Sequence, residues 1–176
     1  MDWLPNEDAI CFFAEKILPL VAQAIPEVKL TVVGRNPTTR LREIAAADAR
    51  IRVTGRVDDV RPYIDRAAAY VVPLRIGGGT RLKIYEAMAM AKPVISTTIG
   101  AEGLPLNNGR DLLIADEPET FARAVVRTLE DRMLVRQLGE QARANVCERF
   151  GWEHAADSFI DICEGVARKA SKRRAA

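Results

Sequence analysis

Short apolar runs alternate along this chain with longer segments in which apolar residues recur every three or four positions. Runs of this length, bounded by glycine, proline or polar residues, predict buried β-strands. We predict five strands: Val28–Val33, Ile51–Thr54, Ala68–Leu74, Val94–Thr97 and Asp111–Ala115. The periodic segments predict helices, so strands and helices alternate from one end of the chain to the other.

The first helix follows Pro5, and Asn6 is its predicted N-cap. Pro19 should kink this helix, because proline lacks an amide donor and crowds the carbonyl four residues back. Its predicted buried face consists of Ile10, Phe13, Ile17, Leu20 and Ala24. Further helices are predicted over residues 37–47, from a cap at Asp58 or Asp59 to Arg66, from Pro118 to Asp131, from Met133 to Arg149, and from Trp152 onward with an apolar stripe of Phe159, Ile160, Cys163 and Val166.

Strands that alternate with helices pair in parallel through right-handed crossovers, which predicts an α/β fold with a doubly wound, mostly parallel sheet. Ligands in such folds bind beyond the carboxyl ends of the strands. Four predicted strands are followed there by glycine loops, namely Gly34, Gly55, Gly77–Gly79, and Gly100 with Gly103. We expect these loops to converge on one crevice that holds a ligand.

The candidate chemistry lies where a glycine loop joins the strand ending at Leu74 to a helix. Gly77, Gly78 and Gly79 let the backbone turn tightly and approach a ligand closely. The turn from Thr80 to Lys83 would offer unpaired N–H groups at the positive end of the helix dipole. Arg81 and Lys83 add cations that oppose this dipole, which suggests that an anion such as phosphate binds there.

Glu86 lies one turn after Lys83 on the same helix face, where its carboxylate can accept hydrogen bonds from a ribose diol. The alternative is an ordinary loop between strand and helix, with Lys83 and Glu86 as a solvated surface pair. The loop is neither a P-loop, which ends in GK[ST], nor a GxGxxG dinucleotide fingerprint. These residues therefore indicate an anion without identifying it.

Composition narrows the class of protein further. The 176 residues are 48% hydrophobic, which suits one domain with a substantial core. A net charge of +2 with mixed signs predicts no nucleic-acid surface. Five of the seven residues from 168 to 174 are basic, which predicts a solvated tail with at most weak peripheral membrane contact.

The cysteines and the single histidine bear on location and on metal binding. Cys11, Cys147 and Cys163 have no paired spacing, which predicts reduced core residues. No apolar stretch approaches the length of a membrane span, and the N-terminus is acidic where a signal peptide would be basic. We therefore expect a cytoplasmic protein. His154 is the only histidine, so we expect no metal site and no histidine-based nucleophile triad.

Several motifs, in this order, resemble the donor-binding C-terminal domain of GT-B glycosyltransferases in the large retaining group numbered family four. The most specific is PLRIGGGTRLKIYEAMAMAKPVISTTIGAEGL. The weaker ones are PNEDA with ILPL, VVGR, TGRVDDVRPY and RFGW. The resemblance covers nearly the whole chain and implies a Rossmann-like sheet that binds a nucleoside diphosphate sugar. It also implies a domain over residues 1–150, followed by a C-terminal helix and basic tail over 151–176.

The resemblance assigns roles to individual residues. Glu86 corresponds to the carboxylate that binds the ribose hydroxyls of the donor. The diphosphate would be held by Gly78, Gly79 and Thr80 through their amides and by Arg81 and Lys83 through their charges. Gly34 and Arg35 would line the phosphate side, and Arg56 and Val57 would contact the nucleobase. Transfer would need no metal or other cofactor, because cations and the helix start stabilise the leaving group.

Two departures from the family pattern bear on activity. Many relatives carry a second glutamate eight positions before the ribose-binding one, and Gly78 stands there in this chain. Relatives also begin this domain with a strand and a glycine turn before the PN motif, whereas this sequence starts inside that loop at Met1, so we expect the first strand to be missing. That strand is central in the order 3-2-1-4-5-6, so we expect unpaired edges on the strands beginning at Val28 and Ala68.

The resemblance also implies that transfer involves an N-terminal acceptor domain. Because this domain supplies the acceptor site and any general base in the family, we expect residues 1–176 alone to bind donor without turnover, and we assign no catalytic residue. Two other hypotheses stay open: a related enzyme that epimerises a nucleotide sugar, and a non-catalytic nucleotide-binding or interaction module.

Overall fold

The computed structural model describes residues 3–79, 81–151, 156–157 and 159–166. Predictions for Thr80, His154, the start of the last helix at Trp152 and the basic tail fall outside these ranges. The strands are β1 (Leu30–Val32), β2 (Ile51–Val53), β3 (Tyr70–Val72), β4 (Val94–Ser96) and β5 (Leu113–Ile114). The helices are α1 (Leu4–Phe12), α2 (Leu18–Ala24), α3 (Thr39–Ala47), α4 (Arg61–Arg66), α5 (Leu82–Ala89), α6 (Pro118–Glu130) and α7 (Arg132–Phe150). Residues 156–157 and 159–166 are also helical.

The strands form two parallel ladders, which agrees with the predicted α/β fold. In the first, β1 pairs with β2, with Leu30 opposite Ile51. In the second, β4 lies between β3 and β5. No ladder joins β1 to β3 within the described ranges, which confirms the expectation of unpaired edges on these two strands.

Helices cover both faces of the β3–β5 ladder. One hydrophobic cluster lies beneath α1, α2 and α6, and it spans both ladders because β1 and β4 contribute to it. Its members include Phe13, Ile17, Val32, Ile95 and Phe121. A second cluster lies beneath α5 and α7 and includes Val72, Ile84, Met88, Leu112 and Ala142.

The first predicted helix is interrupted by a π-helical turn at Phe13–Ile17. This turn lies directly before Pro19, whose ring crowds the carbonyl of Glu15 and gives it no amide donor. A π turn adds a residue to the local period and rotates the buried face. The predicted face is therefore correct at Phe13 and Ile17 but wrong at Ala24, which is exposed, while Val21 is fully buried instead.

The helix starts also differ from the predictions. Asn6 is not an N-cap, because α1 already begins at Leu4 with Pro5 in its first turn, where a missing amide donor costs nothing. The hydroxyl of Thr38 caps α3 by accepting from the Leu41 N–H at 3.3 Å. Asp59 acts as predicted in accepting from a helix-start amide, that of Arg61 at 2.9 Å, although it lies one residue before the formal cap.

Burial corrects the prediction for the cysteines and shows where the apolar stripe of the last helix lies. Cys11 is buried, but Cys147 and Cys163 are exposed, so the prediction of three core cysteines is wrong for two of them. In the helical residues 159–166, the predicted stripe is exposed, with Phe159 at 68%. None of the helices in the described ranges combines the length and hydrophobicity that a membrane crossing requires.

Candidate functional site

The glycine loop after β3 has a backbone that only glycine adopts readily. Gly77 and Gly79 have φ angles of 113° and 96°, in a region where a Cβ would be strained. A Cβ on Gly77 would also lie 3.2 Å from the Cβ of Pro5, so the loop packs closely against the start of α1. Gly78 is open, with nothing near its Cβ position, and its backbone is accessible to a ligand.

Helix α5 begins later than predicted. Its first residue is Leu82, and Arg81 is its N-cap. Arg81, which was predicted in the first turn, therefore lies outside the helix. Lys83 remains in the first turn, where the helix dipole is positive.

Arg81 is directed back toward the loop. Its guanidinium donates to the carbonyls of Gly77 and Gly78 at 3.1 and 3.0 Å. It also donates to the Ile99 carbonyl at 3.0 Å, which ties the glycine loop to the loop after β4. The side chain is only 7% exposed, and its Nε atom is buried without a hydrogen-bond acceptor. In this arrangement Arg81 holds two loops together, and its positive charge lies behind the loop surface.

Lys83 is the second of the two cations predicted near the glycine loop. Its ammonium donates to the Asn6 side-chain oxygen at 2.7 Å. Burial, and to a smaller extent the nearby positive charge of Arg81, lowers the pKa of Lys83. Glu86 follows one turn later and is exposed. The pKa of Tyr70 is raised to about 12, mainly by the burial of Tyr70 and to a smaller extent by the carboxylate of Glu86.

Three consecutive residues at the start of α1 bring the loops together. Asn6 accepts from Lys83, as described above. Next to it, Glu7 accepts a hydrogen bond from the Thr38 hydroxyl at 2.6 Å, in the loop after β1. Asp8 accepts from Nε of Arg75 at 3.0 Å, in the loop after β3.

The sequence analysis missed this role of the α1 start. The signal was present, since three polar side chains in succession begin an otherwise apolar helix.

The remaining predicted site residues belong to the loops after β1 and β2. The N–H of Gly34 donates to the Gly55 carbonyl at 3.2 Å, so these two loops lie side by side. Arg35 and Arg56 are exposed at the surface, and Val57 is partly buried. The loops after β1 and β3 thus contact the start of α1. The loop after β4 contacts the glycine loop through Arg81, and the loop after β2 contacts the loop after β1 through Gly34.

Two cavities lie elsewhere in the described part of the chain. One of about 590 Å³ lies between α2 and α6. Another of about 460 Å³ lies beside Asp8, Arg40, Arg75 and Asp116. Neither is lined by a predicted site residue. No three His, Cys, Asp or Glu side chains among the described residues are grouped so as to hold a metal ion.

The sequence pattern of the family described as glycosyl transferases group 1 matches residues 2–131, well over half of the chain. The chain belongs to the group 1 glycosyltransferases. A phosphatidyl-myo-inositol mannosyltransferase of Mycobacterium leprae (strain TN) is 30% identical over 160 residues, covering 88% of this chain and 42% of the relative. This group 1 chain spans 34% of the length of one curated relative, from Klebsiella pneumoniae, and 43% of another, from Mycobacterium tuberculosis (strain CDC 1551 / Oshkosh).

Solved structures agree on the fold. A crystal structure of a mutant S. aureus TarM in complex with fondaparinux, alpha-GlcNAc-glycerol and UDP has a TM-score of 0.77 at 16% identity, covering 92% of this chain and 33% of that one. The C-terminal domain of LpcC, a group 1 glycosyl transferase from Francisella tularensis, has a TM-score of 0.68 at 18% identity, covering 80% of this chain and 78% of that one. The fold is therefore that of GT-B glycosyltransferases.

Proposed function

We propose that this chain is the donor-binding half of a retaining glycosyltransferase and binds a nucleoside diphosphate sugar. The observation that carries the proposal is the position of Lys83 in the first turn of α5, partly buried beside the glycine loop. Support also comes from the TarM relative, whose crystal structure contains UDP. The proposed donor site combines this cation with the accessible backbone of Gly78 and the carboxylate of Glu86.

The electrostatics of Lys83 favour an anionic ligand. Its charged form is disfavoured by burial, by Arg81 and by the positive end of α5, and its hydrogen-bond acceptor, Asn6, is uncharged. The negative charge of a diphosphate would offset these effects by attracting Lys83, Arg81 and the start of α5. Charge-assisted hydrogen bonds contribute roughly 1.5–3 kcal/mol each when partly shielded from water. Lys83 therefore has more to gain from a phosphate than an exposed lysine has.

The other residues have proposed roles around this contact. The amides of Gly78, Gly79 and Thr80 would hold the diphosphate, with Arg81 acting chiefly by fixing the loop that carries them. The carboxylate of Glu86 would accept from the ribose hydroxyls. The proposal further places Gly34 and Arg35 on the phosphate side, and Arg56 and Val57 at the nucleobase.

In this proposal Lys83 and the start of α5 stabilise the leaving nucleoside diphosphate, and no cofactor takes part. The proposed partner in transfer is an N-terminal acceptor domain of the GT-B type. We also propose a cytoplasmic location, with support from the three free thiols.

The test measures the melting temperature with a panel of nucleoside diphosphates, including UDP and GDP. At a ligand concentration about a hundred times Kd, binding stabilises by roughly 2.7 kcal/mol, which corresponds to about 5–10 °C for a chain of this size. Lys83→Met should weaken binding roughly 10- to 100-fold, and Glu86→Gln should also weaken it.

Matched controls are Lys29→Met, before β1 at the opposite end of the strand, and Glu43→Gln on the exposed side of α3. Both should keep the full shift. The proposal is wrong if no nucleoside diphosphate raises the melting temperature. It is also wrong at this site if Lys83→Met binds as tightly as the unaltered chain.

A further inference from the structure

Arg75 lies in the loop after β3, shortly before the glycines of Gly77–Gly79, and it is not among the proposed donor contacts. Its guanidinium forms two hydrogen bonds with the carboxylate of Asp8 in α1. Nε donates to Oδ2 at 3.0 Å, and Nη2 donates to the other oxygen, Oδ1. Two such bonds between planar groups fix their relative orientation as well as their distance.

Phe12 contacts the same guanidinium from a second direction. The Cζ atom of Arg75 lies 4.5 Å from the centroid of the Phe12 ring, which is the geometry of a cation–π contact. Phe12 follows Asp8 by one turn of α1, so both partners lie on one face of this helix. Phe12 also packs against the hydrophobic cluster beneath α1, α2 and α6. The side chain of Arg75 is therefore bound to a part of the chain that the core fixes.

Arg40 provides a comparison, because it also pairs with a carboxylate near α1. It donates to Glu15 at 2.8 Å through a single hydrogen bond. Exposed pairs of this kind contribute little, because water screens their charges. The acceptor of Arg75 is less exposed, with the Asp8 side chain at 23% and that of Glu15 at 39%. With its second hydrogen bond and its ring contact, the Arg75 pair should restrict the chain more than the Arg40 pair does.

Two arginines thus hold the glycine loop from opposite ends. Arg81 follows the glycines and connects them to the loop after β4. Arg75 precedes the glycines and connects the chain to α1. Gly78 lies between these two contacts, and nothing lies within 4 Å of its Cβ position. The position of its backbone therefore depends on the residues that hold the loop on either side.

A glycine loop has many conformations to lose when it binds a ligand in one of them. Contacts that restrict the free loop to the binding conformation reduce this loss, and affinity rises. We propose that Arg75 is a positioning residue of the proposed donor site, which orders the glycine loop through Asp8 and Phe12 before the donor binds. The effect on affinity rests on the proposed function, whereas the effect on the order of the free loop does not.

Direct binding of a phosphate is a weaker role for Arg75. The carboxylate of Asp8 offsets its charge and accepts from two of its nitrogen atoms, and the Phe12 ring lies against its face. An arginine with these partners is better suited to holding the chain than to attracting a second anion.

The first measurement uses the protein without nucleotide. Nitrogen-15 relaxation gives the order parameter S² of the Gly78 and Gly79 N–H groups, which is about 0.85 for a rigid backbone and below about 0.6 for a flexible one. We expect values near the rigid limit, and a fall of at least about 0.15 at both glycines in Arg75→Gln. Arg40→Gln is the matched control and should change neither value. Should Arg75→Gln fail to fold, Phe12→Leu removes only the ring contact and should lower S² in the same direction.

The second measurement is the affinity for UDP and GDP, by isothermal titration calorimetry. Arg75→Gln should weaken binding roughly tenfold, which is the cost of ordering about one further residue on binding. Arg40→Gln should leave the affinity unchanged. Asp8→Arg combined with Arg75→Asp restores an ion pair of reversed polarity and should recover most of the affinity that either single change loses. A mere loss of stability would not be recovered in this way.

The outcomes separate the role of Arg75 from the proposed function. An unchanged S² in folded Arg75→Gln, or a flexible glycine loop in the unaltered chain, would overturn the inference even if a nucleotide binds. Full affinity of Arg75→Gln for a nucleotide that binds the unaltered chain would overturn its role in donor binding. If neither UDP nor GDP binds the unaltered chain, that result contradicts the proposed function, and S² still decides whether Arg75 orders the loop.

Discussion

Gly139 determines how closely α7 can approach α5, the helix that carries the proposed donor contacts. A Cβ on Gly139 would lie 2.2 Å from the Ala91 carbonyl oxygen and 3.0 Å from its carbon. The Ala91 segment has little freedom to move, because its N–H bonds to Met88 at 2.9 Å and the next N–H bonds to Ala87 at 3.0 Å. Gly139→Ala must therefore push the two helices apart.

The magnitude follows from two opposing terms. Ordinary contacts of a Cβ with oxygen exceed 3 Å, so a shift of about 1 Å is needed, and overpacking of this kind costs roughly 1–3 kcal/mol. The glycine-to-alanine change also favours a helix by roughly 0.5–1 kcal/mol. We expect Gly139→Ala to lower the free energy of unfolding by roughly 1–2 kcal/mol and the melting temperature by roughly 2–8 °C.

Urea unfolding and thermal melting followed by circular dichroism measure this loss. Gly165→Ala is the matched control, because Gly165 is also helical and nothing lies within 4 Å of its Cβ position. We expect this control to be neutral or slightly stabilising. A Gly139→Ala variant as stable as the control would show that α7 does not pack against the Ala91 carbonyl, and the reasoning would be refuted.

Three further predictions concern the helix end, the core and the buried cation. Ala91 has a φ of 55°, so Ala91→Gly should raise stability by up to about 1 kcal/mol in urea unfolding. Ala89→Gly, at the last residue of α5, should lower it slightly. Phe121 is fully buried, and its ring packs edge-to-face on Phe13 with 6.0 Å between the ring centroids. Phe121→Ala should therefore lower the free energy of unfolding by about 3–5 kcal/mol. A loss below about 1 kcal/mol would contradict this packing. Because the pKa of Lys83 is lowered in the folded chain, the unfolded chain binds the proton of this ammonium more tightly. The free energy of unfolding should therefore rise as the pH increases from the lowered pKa toward 10.5, the ordinary pKa of lysine. Lys83→Met should remove that rise, and an unchanged pH profile would contradict it.

The order and position of the elements could be predicted because they depend on residues close together in sequence. Each apolar run became the centre of a strand, and α6 and α7 end within a residue or two of their predicted bounds. The first helix was harder. Pro19 predicted a kink in this helix. The change of its buried face from Ala24 to Val21 could not be predicted, because it depends on the π turn, which packs against α6.

The order of the candidate residues along the chain could be predicted from the sequence, but the directions of their side chains could not. Gly77–Gly79, Lys83 and Glu86 follow β3 as predicted. However, Arg81 is directed to the carbonyl of Ile99, 18 positions away, and this contact removes its charge from the loop surface. Asn6, predicted as a helix cap, instead accepts from Lys83 across 77 positions.

The sequence by itself thus determined the parallel α/β order, the glycine loop and membership of the group 1 glycosyltransferases, because backbone propensity and motif spacing are local properties. Tertiary structure alone decided that the Arg81 guanidinium is bound by loop carbonyls and buried, whereas the Lys83 ammonium donates to Asn6. It also decided that the start of α1 binds the loops after β1 and β3. The direction of a polar side chain depends on which distant acceptors folding brings within about 3 Å of it.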